Sequence, residues 1–163
     1  MATENNLCRI LCLGDVVGRP GRRLLAERLP ELRAALAVNM VIANGENASG
    51  GIGLTPEGLR ELLSAGVDVV TTGNHIWKHK EIHTSLDRSK TLLRPINYGP
   101  KAPGRGFCLH ALPCGTKVGV LNLIGRSFME PLDCPFRAAD AALAALVEQG
   151  AAFCLVDFHA EAS

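Results

Sequence analysis

The chain has 163 residues, of which 47% are hydrophobic and 4% aromatic, with 17 Lys and Arg against 16 Asp and Glu. A formal net charge of +1 excludes strong nucleic-acid or anionic-membrane binding. The hydrophobic share excludes disorder, and the length suits one domain over residues 1–163 with a sizeable core.

The run from Cys8 to Leu13 predicts a strand that enters Gly14-Asp15, and Leu24, Leu25, Leu29, Leu32 and Leu36 then recur at helical spacing. A second strand is expected over 40–43, followed by an Asn- and Gly-rich loop over 44–53. Thr55 and Pro56 read as the N-cap and first residue of a helix, and Gly66 as the residue that closes it. A third strand over 67–71 ends in the polar turn Thr72-Gly73-Asn74-His75. Strands alternating with helices predict an α/β chain with a parallel sheet. Farther on, strands are expected over 92–96, 107–112 and 117–124, the last two as a hairpin turning at 113–116. A helix over 135–149 precedes a strand over 152–156 that delivers Asp157, Phe158 and His159.

No apolar run approaches the roughly 20 residues of a membrane helix. Residues 1–6 lack the basic and apolar regions of a signal peptide, which points to the cytoplasm. Cys8, Cys12, Cys108, Cys114, Cys134 and Cys154 contain no C-x-x-C and lie largely in apolar runs; they read as small buried hydrophobes rather than ligands or disulfides.

Ligands bind at the carboxyl ends of parallel strands, where loops and helix N-termini converge. The polar residues of this chain collect at such ends: Asp15, Asn44-Gly45-Glu46-Asn47, Asn74-His75, and Asp157 with His159. Each alone reads as a cap, a turn or a satisfied histidine. Together they supply carboxylate, amide and imidazole donors suited to a divalent transition metal. Gly14, Gly18 and Gly21 match neither the dinucleotide fingerprint nor the P-loop. Arg19, Arg22 and Arg23 suit a phosphate or a solvated face equally. His79 and His83, without the zincin order, read as an exposed helix face.

Five motifs in order, Gly14-Asp-Val-Val-Gly-Arg-Pro-Gly-Arg22, Asn44-Gly-Glu-Asn-Ala-Ser-Gly-Gly-Ile-Gly53, Thr72-Gly-Asn-His-Ile-Trp77, Arg94-Pro-Ile-Asn-Tyr98 and Asp157-Phe-His-Ala-Glu161, resemble those of the YmdB-like metallophosphoesterases. The resemblance implies a calcineurin-like αββα sandwich, the metallo-dependent phosphatase fold. It also implies an enzyme with two divalent metal ions, iron or manganese with zinc as an alternative, that hydrolyses 2′,3′-cyclic nucleotides or related phosphodiesters. By position, Asp15 resembles a terminal ligand and Glu46 the bridging carboxylate. Asn47, Asn74 and His159 resemble further ligands, and His75 the catalytic histidine facing the substrate phosphate. The superfamily's D-x-H opening is Asp15-Val16-Val17 here.

Members of that family continue into a Gly-Thr-His-Thr-His type segment carrying two more histidine ligands, which this chain does not contain. The expectation is therefore an incomplete C-terminal part, with sheet edges that invite homo-oligomerisation. The competing expectation is a non-catalytic nucleotide-binding or regulatory protein with an incomplete metal site.

Overall fold

The computed structural model describes residues 7–162, so the reading of residues 1–6 lies outside the described residues. β1 (Ile10–Asp15), β2 (Met40–Asn44) and β3 (Val69–Thr71) form a parallel sheet in that order. Their crossovers are the helices α1 (Gly18–Ala35) and α2 (Pro56–Ser64). Thr55 caps α2 as expected, its hydroxyl accepting the Gly58 N–H at 3.1 Å. Gly66, at φ +104°, takes the left-handed conformation that stops the chain after α2.

β2 is buried on both faces because its alternate residues serve two cores. Val41 and Ala43 pack with Leu29 of α1, Leu59 and Leu62 of α2, and Ile82 and Leu86 of α3 (Ile82–Arg88). Met40 and Ile42 point the other way, to Cys108, Val118 and Val120. Those residues belong to a second sheet, β4 (Phe107–Ala111), β5 (Lys117–Ile124) and β6 (Phe153–His159). In it β4 is antiparallel and β6 parallel to β5. Leu121 and Leu123 of β5 pack outward against Ala142 of α4 (Pro135–Glu148). The layers run helices, sheet, sheet, helix.

Four expectations need correction. Residues 92–96 form no strand: Leu92 and Leu93 make single bridges to Val70 and Arg105, and Pro95, which has no N–H, ends the pairing before a 3-10 turn at Ile96–Tyr98. The final strand belongs to the second sheet rather than the first. Cys108 is buried, but Cys12 and Cys114 are exposed, since β1 is a sheet edge and Cys114 sits in the β4–β5 turn. His79 and His83 share no exposed helix face. His79 precedes α3 and approaches the Ile52 carbonyl at 3.2 Å, while His83 stacks edge-on against Trp77 at 5.8 Å. Among the arginines, Arg22 pairs with Glu61 at 2.6 Å and donates to the Ala48 carbonyl, which docks α1 on α2. Arg23 pairs with Glu27.

Candidate metal centre

The carboxyl ends of β1, β2, β3 and β6 meet at one cleft of about 610 Å³, whose lining includes Asp15, Glu46, Asn47, His75, Asp157 and His159. Glu46 is its hub. The Asn44 side chain accepts the Glu46 N–H at 2.9 Å, an Asx turn that redirects the chain straight after β2. The Glu46 side chain is 1% exposed, with His159 Nε2 at 3.4 Å and His75 Nδ1 at 3.7 Å from its Oε1. Its Oε2 accepts the His75 N–H at 3.2 Å.

Two side-chain relays flank this hub. Asn47 donates through Nδ2 to Asp15 at 2.9 Å, so its Oδ1 faces His75 Nδ1 at 2.7 Å. That acceptor places the imidazole proton on Nδ1 and leaves Nε2 free. On the other side His159 Nε2 lies 3.0 Å from Asn74 Oδ1. Asn74 opens a 3-10 helix, Asn74–Lys78, which carries both Asn74 and His75 to the cleft.

Gly73 makes this approach possible. A Cβ there would collide with Glu46 Oε2 and lie 2.6 Å from the His159 ring, so the β3 turn tolerates no side chain at that position.

The structure thus brings Asp15, Glu46, Asn47, Asn74, His75 and His159 into one cluster. It adds residues that pattern reading did not single out. Thr71 Oγ1 donates to Asp157 Oδ2, tying β3 to β6. Asn122, wholly buried in β5, accepts the Thr72 N–H at 2.9 Å and clamps the β3 end onto the second sheet. The detectable signal for Asn122 is a single amide inside the apolar run of residues 118–124.

A buried carboxylate is costly unless its charge is compensated. Among the described residues no Lys or Arg pairs with Glu46; its only ion-pair candidates are His75 and His159. No three His, Cys, Asp or Glu side chains among the described residues form a cage unaided, so a cation here would also use the amides of Asn47 and Asn74. Hard oxygens, imidazole and an uncompensated carboxylate fit a divalent ion. At the cleft wall, partial desolvation of the Cys12 thiol pushes it up and the Asp157 carboxylate adds to it. Burial also pushes the Tyr98 phenol up, against a lowering by the Trp77 indole, and the charges of Glu130 and Glu46 raise it further.

No helix among the described residues is long and apolar enough to cross a membrane. The chain is 41% identical over 155 residues to a 2′,3′-cyclic-nucleotide 2′-phosphodiesterase of Bacillus subtilis, covering 95% of this chain and 58% of the relative. The crystal structure of a hypothetical protein from Thermus thermophilus superposes with a TM-score of 0.85 at 45% identity, over 94% of this chain and 58% of that one. A novel phosphatase from Mycoplasma pneumoniae superposes at 0.84 and 30% identity, over 96% and 56%. The chain therefore spans between half and two thirds of the length of these relatives. The sequence profile of the YmdB-like proteins matches residues 11–163, and the chain belongs to that family.

Proposed function

We propose that this chain carries the catalytic centre of a metal-dependent phosphodiesterase with a calcineurin-like fold, acting on 2′,3′-cyclic nucleotides or related phosphodiesters. The observation that carries the reading is Glu46, a buried carboxylate without Lys or Arg compensation among the described residues, ringed by imidazole and amide donors. The relative named as a cyclic-nucleotide phosphodiesterase supports the substrate class. Asp15, Glu46, Asn47, Asn74 and His159 would hold two divalent ions, iron or manganese with zinc as the alternative, Glu46 supplying the buried charge. Such ions supply charge neutralisation at the phosphate and an activated water.

The chain's own groups do the rest. Asn47 fixes the His75 ring through Nδ1, so Nε2 is the nitrogen left to serve the substrate. In its protonated form His75 donates from Nε2 to the departing ribose oxygen and returns to the neutral Nδ1–H tautomer that Asn47 already holds. Asn122 and Thr71 keep β3 against the second sheet, so that His75 and His159 keep their positions about Glu46.

The test is hydrolysis of a 2′,3′-cyclic nucleotide with Mn²⁺ or Fe²⁺, a chelator control and an Asn74→Ala variant. Chelator-sensitive turnover that is lost in the variant is the expected result. Turnover indifferent to both chelator and Asn74 would overturn the reading.

A further inference from the structure

A second cavity, of about 670 Å³, opens beside the cleft; Asn74, Tyr98, Ile124, Phe128, Met129 and Leu132 line it. It begins where the candidate centre ends, because Asn74 forms its wall while bonding His159, and Glu161 borders both cavities. Its volume lies in the range of small-molecule sites, ~300–1,000 Å³.

One feature of its walls has no use in the fold itself. Phe128 holds φ at +61°, a conformation costly for a bulky side chain, and leaves its ring 93% exposed. The loop that carries it is anchored at both ends. Gly125 donates to the His159 carbonyl at 2.8 Å, Asp133 donates to the Asn97 carbonyl at 3.2 Å, and Asn97 Nδ2 donates to the Asp133 carbonyl at 3.1 Å. A strained, solvent-facing aromatic on a pinned loop gains nothing from packing. Tyr98 also lines the cavity, and Trp77 packs edge-on against its ring at 5.1 Å.

We infer that this cavity is the nucleobase subsite of the phosphodiester substrate, with Phe128 as the stacking ring. The inference rests on the phosphodiesterase reading for the position of the phosphate, which meets the donors around Asn74 and directs the nucleoside toward Phe128. Glu130, also in the lining, offers an acceptor to an exocyclic amino group, so adenine fits better than uracil. A single stacked base needs one exposed ring, so the low aromatic content is no obstacle.

The probes are adenosine 3′-phosphate, free adenosine and inorganic phosphate, titrated calorimetrically in the presence of Mn²⁺ into the chain and into Phe128→Ala and Phe128→Tyr. Because the ring is exposed, both variants are expected to fold. The expected result is a loss of about tenfold in adenosine 3′-phosphate affinity in Phe128→Ala, the effect of removing one stacking ring. Phe128→Tyr restores it, and phosphate binds all three proteins alike. Equal affinity of the nucleotide for wild type and Phe128→Ala overturns the subsite, as does a nucleotide that binds no better than phosphate. Free adenosine separates the two readings. If adenosine binds in a Phe128-dependent way while phosphate binds nowhere, the subsite stands and the phosphodiesterase reading fails.

Discussion

In the first sheet the chain is held by regular devices. β2 sends alternate residues to two cores, Thr55 caps α2, and Arg33 bonds the Gly66 carbonyl at 2.6 Å and pairs with Asp68 at 3.0 Å. The stretch between β3 and β5 is held otherwise. There Arg94, 4% exposed, donates to the carbonyls of Pro95, Ile96, Gly99, Ala102 and Pro103 at 2.9–3.3 Å. Asn97 bonds Ile124 in both directions and also Asp133. A loop with few apolar side chains is here given a core of buried polar ones, each satisfying backbone groups that no ladder reaches. Repetitive structure tolerates loss of one contact, whereas a polar pin has no substitute.

That contrast orders the expected effects of substitution. Arg94→Ala leaves five carbonyls without their donor and should cost about 3 kcal/mol or more in denaturant unfolding. Arg94→Lys should not rescue it, because an ammonium cannot reproduce the guanidinium fork. Asn97→Ala should cost about 2 kcal/mol by the same measurement and should loosen the Phe128 loop, visible as faster amide exchange over residues 125–133. In the first sheet, Thr55→Ala should cost only ~1 kcal/mol. If Thr55→Ala proved as damaging as Arg94→Ala, the distinction between the two regions would collapse.

The thiols offer a finer comparison. Burial pushes Cys108 up to about 11, while the Thr116 hydroxyl lowers Cys114 in the turn. Alkylation at pH 8, read by mass spectrometry, should mark Cys114 well before Cys108. A raised folded-state pKa stabilises the fold below the ordinary thiol value, ~8.5, and that contribution is lost as pH climbs toward about 11. Cys108→Ala should flatten that alkaline decline, and an unchanged decline would assign it to other groups.

The regular half was the more legible in sequence. Thr55, Pro56 and Gly66 announce α2 by cap chemistry, and alternation or apolar runs disclose five of the six strands close to their observed bounds; β6 was expected to end at 156 and extends to His159. The stretch over 92–96 misled because an apolar run next to proline is compatible with a strand until Arg94 and Asn97 are seen folding it into a loop. The six clustered residues, Asp15, Glu46, Asn47, Asn74, His75 and His159, were readable as polar residues after strands. Their clustering was less so, since β6 reaches Glu46 from the other sheet through Asn122 and Thr71, contacts between residues as far as 86 apart in sequence. Phe128 was invisible as a site residue. An exposed aromatic in a loop has no periodicity, and only its left-handed backbone and the cavity beside it give it meaning.

The candidate centre turns on one charge. Glu46→Gln preserves shape while removing the buried carboxylate, so in chelator the variant should be more stable than wild type by about 1 kcal/mol. The most direct test is a calorimetric Mn²⁺ titration of the chain beside Glu46→Gln and His75→Ala. The account predicts saturable binding by wild type and His75→Ala and its loss in Glu46→Gln. Undiminished Mn²⁺ binding by Glu46→Gln would contradict it.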